Sequence, residues 1–375
     1  MTGVPDVLIV GAGAAGAAVG YEAVKRGLSV TIIEKDSIGS HASGFSFGGL
    51  FPTMGAGIPG PMTAHAKRGV TLHKRLAPVL DEETGMDVGL RAARSLELAM
   101  TAGELDRMRE RLKWQRSEDL EGELLDGQAA KALEPAIGPE PAGALLQRCH
   151  FGVDSYRYTL ALVTAVERHG GIIRHDQVVG LDLAGRRVNG VTLASGETVK
   201  AGAIVLATGP WSGGSSQGSS ESLPSLPVRP VKGEILRLNY PGRAFIHRVS
   251  AGGCYIARKP DGLVWAGSTE QDAGFDERPS ADARDSIMRR VVSLAPPVAD
   301  ARVELHTACL RPVSDDDMPV LGPAPGYEGL FAATGAGKKG ILLSPVIGRM
   351  VAGAVAGDPA KDPIPPEFDV SRYAV

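Results

Sequence analysis

Residues 7–10, Val-Leu-Ile-Val, run directly into Gly11-Ala12-Gly13-Ala14-Ala15-Gly16, and then into a helical stretch that ends at Arg26 before Gly27. Nothing else in the chain limits its fold so strongly. A strand that is apolar at every position is buried on both faces, as in a parallel sheet. The spacing G-x-G-x-x-G, directly after such a strand and opening a helix, marks a dinucleotide-binding βαβ unit. Gly11 permits the tight turn, Gly13 lets a pyrophosphate approach the backbone, and Gly16 lets helix and strand pack closely. Ala14 and Ala15 open the helix, whose free N–H groups and positive dipole end favour phosphate. The next strand is predicted over 29–34 and ends in Glu34, 18 residues after Gly16. A carboxylate there accepts hydrogen bonds from an adenosine ribose and speaks against a 2′-phosphate, hence against NADP. This unit alone does not separate NAD from FAD.

The chain returns to the same pattern later. Residues 204–209 read as an apolar strand closed by Ala207-Thr208-Gly209, and residues 330–333 lead through Gly335-Ala336-Gly337 into a helix predicted over 340–355. Other helices are predicted over 61–85, 102–114, 126–133, 158–169 and 280–294, and strands over 96–100, 231–238, 255–258, 263–267 and 303–310. A meander over 172–183, 188–193 and 198–199 carries turn residues at Gly185 and Ser195-Gly196. Residues 212–222, rich in serine and glycine, read as a loop crossing between domains. At about 150 residues per domain, this length makes two. The expected fold class is α/β. A Rossmann-like nucleotide-binding domain is built from 1–90, 150–228 and 318–375, and a mostly antiparallel α+β domain from 91–149 and 229–317 interrupts it.

Forty basic residues against 43 acidic ones leave a net charge of -3, which gives no electrostatic reason to expect nucleic acid or an anionic membrane. Glycine, at 49 residues, clusters in short loops without a period, as in a chain whose backbone approaches a ligand closely several times. Cys149, Cys254 and Cys309 form no CxxC motif, which argues against a disulfide framework or zinc and fits a reducing compartment. The apolar run 7–10 is too short for a signal-peptide core, and Arg349 interrupts the apolar stretch 341–356. A cytoplasmic protein without a transmembrane segment is the expectation. None of the eight histidines has a partner at metal or triad spacing, and Asp315-Asp316-Asp317 reads as a solvated turn, so no metal is expected.

The order of several further segments carries a resemblance. They are residues 39–44 (Gly-Ser-His-Ala-Ser-Gly) with Gly48-Gly49-Leu50, residues 230–236 (Pro-Val-Lys-Gly-Glu-Ile-Leu), residues 254–258 (Cys-Tyr-Ile-Ala-Arg), Leu310-Arg311-Pro312, and residues 334–341. Together with the N-terminal unit, the chain resembles the FAD-dependent D-amino-acid oxidase superfamily, around glycine oxidase, D-amino-acid dehydrogenase and sarcosine oxidase, over most of its length. The resemblance implies FAD, bound non-covalently, in the first domain, and a substrate site in the second. It implies cofactor contacts from Gly11, Gly13, Ala14, Ala15, Gly16, Glu34, Lys35, Ala42, Ser43, Gly48, Gly49, Leu50, Val178, Thr208, Gly209, Trp211, Gly337, Lys338, Gly340 and Ile341. Residues 43–50 would pass under the isoalloxazine, and the helix start at Gly340-Ile341 would face its pyrimidine end, where it stabilises the charge of reduced flavin.

An amino-acid substrate must have its carboxylate fixed, and a guanidinium binds carboxylate bidentately. Arg311 stands where glycine-oxidase-like members bind that carboxylate, and Tyr255 matches a tyrosine that helps bind or cover substrate. Lys338 stands where those members carry arginine, and Lys339 where sarcosine-oxidase-like members carry a carboxylate-binding lysine, so either one would assist. Ala336 replaces the family's frequent histidine. Cys309 lies near the position at which sarcosine oxidases attach flavin, but a buried free thiol is the plainer reading. The implied activity is hydride transfer from Cα of a D-amino acid, glycine or N-substituted glycine, with oxygen or an electron-transfer acceptor as partner and an imine that hydrolyses. Two alternatives stand beside it: the flavin subunit of a hetero-oligomeric dehydrogenase, and a 2-hydroxy-acid oxidoreductase on the same scaffold. Homo- and hetero-oligomers both remain open.

Overall fold

The computed structural model describes residues 3–214, 223–243 and 245–373. The first strand, Val7–Val10, is fully buried and lies at the centre of a six-stranded sheet. Its neighbours are Ala203–Leu206 on one side and Val30–Glu34 on the other, both parallel to it. Leu330–Thr334 and Ile172–His175 extend the sheet in parallel, and Val320–Pro323 closes one edge antiparallel. The all-apolar pattern follows from the two faces. Val7 and Ile9 pack under the helices Ala14–Lys25, Met62–Thr84, Ser155–Arg168 and Gly340–Val355. Leu8 and Val10 face a core shared with the three-stranded meander Val178–Ala184, Arg187–Leu193 and Thr198–Lys200.

The meander is smaller than the sequence implies. Residues 172–175 leave it to become the edge strand beside Val30–Glu34, and Asp176 and Gln177 break the run before Val178. Apolar spacing cannot distinguish one bent strand from two that pair with different partners.

A second sheet has eight strands in the order Arg302–Ser314, Val228–Asn239, Val264–Gly267, Cys254–Arg258, Arg248–Ala251, Ser95–Ala99, Gly143–Gln147 and Gly122–Leu125. All pairs are antiparallel except Arg248–Ala251 with Ser95–Ala99. The helix Ala281–Leu294 covers the core of this sheet through Ile287, Val291 and Leu294. A small antiparallel sheet of Gly49–Leu50, Phe151–Gly152 and Arg91–Ala92 lies beside it. Residues 212–214 continue a short 3-10 turn, Gly209–Gly213, and the remainder of the predicted crossing loop, 215–222, lies outside the described residues. Asp316 does more than turn in solvent: it accepts from the Arg372 guanidinium at 2.8 Å and from the Tyr373 hydroxyl at 2.7 Å, tying down the C-terminal segment. No helix among the described residues is long and apolar enough to cross a membrane.

Candidate active site

A cavity of about 610 Å³ opens where the carboxyl ends of the parallel strands meet the eight-stranded sheet. Its near end is the glycine turn. Gly11 has φ +107°, and a Cβ there would stand 2.5 Å from the Ala207 carbonyl. At Gly16 a Cβ would fall 2.1 Å from the Gly11 carbonyl, so Gly16 works behind the wall, holding helix to strand. At Gly13 a Cβ would meet only the Ser43 hydroxyl, at 3.3 Å, and would otherwise project into the cavity. The Ala14 N–H, at the helix start, donates to Ser43 Oγ at 2.9 Å. Glu34 accepts from the Ala12 N–H at 2.7 Å through one carboxylate oxygen and from the Asp36 N–H at 3.0 Å through the other. It therefore shapes the glycine turn as well as facing the cavity.

The same end is walled by Trp211, with the Lys35 ammonium 4.2 Å above its ring and His41 edge-on at 4.7 Å. His41 bridges two carboxylates, Asp36 at 2.8 Å and Glu277 at 2.9 Å, and the Glu277 contact, followed by that to Asp36, raises its pKa above the usual value. A chain of hydroxyls pins the later glycine turns together. Thr208 Oγ1 lies 2.9 Å from Ser212 Oγ, Ser212 Oγ donates to Thr334 Oγ1 at 3.2 Å, and Thr334 Oγ1 donates to the Gly209 carbonyl at 3.2 Å. Glycines that a side chain would obstruct, a helix start turned inward, and a carboxylate beside the turn suit a dinucleotide in this cavity.

At the far end the cavity is floored by one face of the eight-stranded sheet. Arg311, Gly233, Ile235, Gly267, Tyr255, Ser250 and Arg248 all point from that face, as the strand registers require. Arg311 leans across Gly233, where a Cβ would lie 2.0 Å from its Nη2. Its two terminal nitrogens donate to the Thr269 carbonyl at 3.3 and 3.4 Å, and no carboxylate among the described residues pairs with it. Tyr255 is buried beside Gly267, and burial raises the pKa of its phenol, which stays a neutral donor. Phe47 packs edge-on against Tyr255 at 4.8 Å, and Phe51 stacks on His150 at 4.5 Å.

The two lysines separate. Lys338 is exposed and pairs with Glu270 at 2.5 Å. Lys339 is turned inward, where it donates to the Phe51 carbonyl at 2.9 Å and to the Met54 carbonyl. Burial, then the neighbouring Lys338 charge, lowers its pKa to about 8. Cys309 lines the cavity with its thiol, which burial keeps protonated.

The structure brings together on this cavity Gly11, Gly13, Ala14, Ala15, Glu34, Lys35, Ala42, Ser43, Gly49, Val178, Thr208, Gly209, Trp211, Tyr255, Arg311, Gly337, Lys338, Lys339, Gly340 and Ile341. It leaves out Gly16, Gly48 and Leu50. A Cβ at Gly48 would strike the Val153 carbonyl at 2.1 Å, so that glycine serves strand packing, and Leu50 is fully buried in the core. Phe47, within the segment expected under the ring, and Phe51 also line the cavity, whereas sequence reasoning gave no role to His41 and Arg248, which line it too. Only the alternation of the strand 248–251 could have signalled Arg248, and that strand was not predicted.

The fold and the cavity define a flavin-dependent oxidoreductase, and the chain belongs to the FAD dependent oxidoreductase family, whose model matches residues 6–354. Within it the chain is similar to glycine oxidases. It is 33% identical over 352 residues to that of Geobacillus kaustophilus, covering 93% of this chain and 92% of the relative. It is 30% identical over 366 residues to that of Pseudomonas aeruginosa, covering 96% and 97%. The solved glycine oxidase of Geobacillus kaustophilus superposes with a TM-score of 0.91 at 30% identity over 100% of both chains. Iminodiacetate oxidase from Chelativorans sp. BNC1 superposes at 0.86 and 26% identity, over 97% of this chain and 98% of the other. The protein is thus an FAD-dependent enzyme that oxidises the CH–NH bond of an amino acid, and the expected fold, cofactor and reaction class hold.

Proposed function

We propose that the chain oxidises glycine or an N-substituted glycine at Cα, with the substrate carboxylate on Arg311. The observation that carries this reading is the Arg311 guanidinium, laid over Gly233 with a single carbonyl as hydrogen-bond partner and a fork free for carboxylate. The Tyr255 phenol donates a second hydrogen bond to the same carboxylate. Phe47, Phe51 and Ile235 wall the site. Lys339 holds residues 51–54 in place and adds positive potential. At the other end Gly13, Ala14 and Ser43 would hold the diphosphate of FAD, Glu34 the ribose, and the helix start at Gly340 the far edge of the ring system.

FAD, when bound, accepts the Cα hydrogen and its two electrons as a hydride and passes the electrons to dioxygen or another acceptor. The chain's own task is to fix Cα in reach and keep water away while the nitrogen lone pair becomes the C=N bond. The amine must arrive neutral or lose its proton to solvent. Water then adds to the imine carbon and the C–N bond breaks, giving a 2-oxo acid and ammonia or a primary amine. A 2-hydroxy acid would need a base for its hydroxyl proton. The acids and imidazole on the cavity wall, Glu34, His41 and Asp176, sit at the opposite, glycine-turn end. We place the enzyme in the cytoplasm, a reading supported by three free cysteines.

The test is the anaerobic visible spectrum of the purified chain with FAD, followed on addition of glycine, sarcosine, D-alanine and lactate in turn. Bleaching by glycine or sarcosine supports the reading, whereas bleaching by lactate alone overturns it. Re-oxidation by air or only by an artificial dye then separates an oxidase from a dehydrogenase.

A further inference from the structure

Arg248 stands on the same sheet face as Arg311, with Tyr255 between them. The register runs from Arg311 to Val231, from Ile235 through Gly267 to Tyr255, and from Tyr255 to Ser250, two residues from Arg248. The Arg311 guanidinium lies over the Gly233 strand, and that of Arg248 lies 4.8 Å from the Tyr255 ring centre. These positions are two strand spacings apart, roughly 10 Å. Arg248 also lines the cavity.

Its polar partners do not account for it. One terminal nitrogen donates to Ser250 Oγ at 3.2 Å, and Nε is buried with no hydrogen-bond partner. The nearest carboxylate across the strand pair, Glu97, is engaged by Arg111 at 2.5 Å. No carboxylate among the described residues pairs with Arg248, although Phe51 and Tyr255 face its guanidinium at 4.9 and 4.8 Å. A buried guanidinium without a carboxylate is costly unless something that enters the site supplies one. Burial also lowers its pKa from the ordinary value, as expected of a cation awaiting a counter-charge.

We infer that Arg248 is a second carboxylate anchor, and that the preferred substrate is an amino dicarboxylate: an amine whose Cα carboxylate sits on Arg311 and whose other carboxylate, on the nitrogen substituent or the side chain, reaches Arg248. The inference rests on the proposed amine oxidation and narrows it. Tyr255, between the two guanidinia, lies along the amine-bearing middle of such a molecule. Sarcosine and iminodiacetate differ by one carboxylate on the nitrogen substituent, and glycine and D-aspartate by one on the side chain, so the two attachments are tested separately.

With the holoenzyme, kcat/KM is expected to favour iminodiacetate over sarcosine, or D-aspartate over glycine, by about 10- to 100-fold, the usual return of one charge-assisted hydrogen-bonded pair. Arg248→Met removes that preference through KM, so that the variant handles mono- and dicarboxylates alike, and Arg248→Lys restores part of it. A reading without turnover comes from the shift of the flavin absorbance on titration with malonate against acetate. The wild type should bind malonate at least about tenfold more tightly, and Arg248→Met should bind the two alike. Equal kcat/KM for the mono- and dicarboxylates in the wild type overturns the inference and leaves amine oxidation standing, whether or not Arg248→Met folds. If no amine is oxidised, the proposed function falls and the malonate comparison alone decides the anchor: tighter malonate binding supports it and equal binding overturns it.

Discussion

Gly233 has no reactive group, yet it determines where the substrate's carboxylate can be held. A Cβ at that position would lie 2.3 Å from the central carbon of the Arg311 guanidinium, inside any allowed contact. Because the obstructed atoms are the end of a long side chain, Gly233→Ala should leave the fold and FAD binding intact and push the guanidinium aside. Misplacing a positioning group by about an ångström costs roughly 10- to 100-fold. KM for glycine or sarcosine should rise by that factor in Gly233→Ala, with the thermal midpoint within a degree or two of wild type, checked by steady-state kinetics and calorimetry on the same preparation. Lys339 offers a second reading at this scale. Its pKa, lowered to about 8 by burial and then by Lys338, means that its charge disappears as pH rises through that value. Affinity for acetate, which does not titrate there, should weaken by about fivefold from pH 7 to pH 9.5, equivalent to ~1 kcal/mol. Lys339→Met should bind as weakly at pH 7 as the wild type does at pH 9.5, with no pH limb. The sequence contained Arg311, Lys338 and Lys339 but not their directions. Two adjacent lysines follow one another around a tight 3-10 turn, and only the packing of residues 51–55 shows which of them is turned inward.

At the scale of the element, the parts best read in advance were those whose chemistry is local. The strand Val7–Val10, its glycine turn and the helix Ala14–Lys25 are determined by residues adjacent in the chain, and their observed bounds lie within a residue or two of the prediction. The floor of the site was harder to foresee. Arg248, Tyr255, Gly267, Gly233 and Arg311 share a face only because five strands align in one register. The strands carrying Arg248, Tyr255 and Gly267 are only four or five residues long and give too few alternations to reveal either face. The glycine-turn helix also relies on a distant element, since its first N–H groups have no partner within the helix. Ser43, from the short helix Ala42–Phe45, accepts one of them. Ser43→Ala should loosen the helix start by about 1 kcal/mol. A roughly fivefold weaker FAD affinity, measured by fluorescence as the flavin is released, would follow. Unchanged affinity would show that the hydroxyl gives way freely to the diphosphate.

On the scale of the molecule, the cavity is formed by two sheets from interleaved segments, so anything that ties the two together also closes the site. His41 is such a tie. It belongs to the loop after the second strand of the parallel sheet, and it holds Asp36 of the same loop and Glu277, which follows the last short strand of the larger sheet. Trp211 packs on its ring at 4.7 Å. The raised pKa of His41, caused first by Glu277 and then by Asp36, fixes the sign of its pH dependence. A group protonated more readily in the folded chain adds stability that is fully present below its unfolded pKa of about 6.5 and is lost as pH rises through the higher folded value. Both carboxylates are partly in water, with 44% and 34% of the Asp36 and Glu277 side chains exposed, so the contribution is about 1 kcal/mol at most. The thermal midpoint of wild type minus that of His41→Asn should therefore be about 2 °C at pH 5.5 and shrink towards zero by pH 8.5. Glu277→Gln should reproduce most of that loss and Asp36→Asn a smaller part. A difference that stayed constant across this range would mean that His41 holds the two sheets by packing on Trp211 and not by charge.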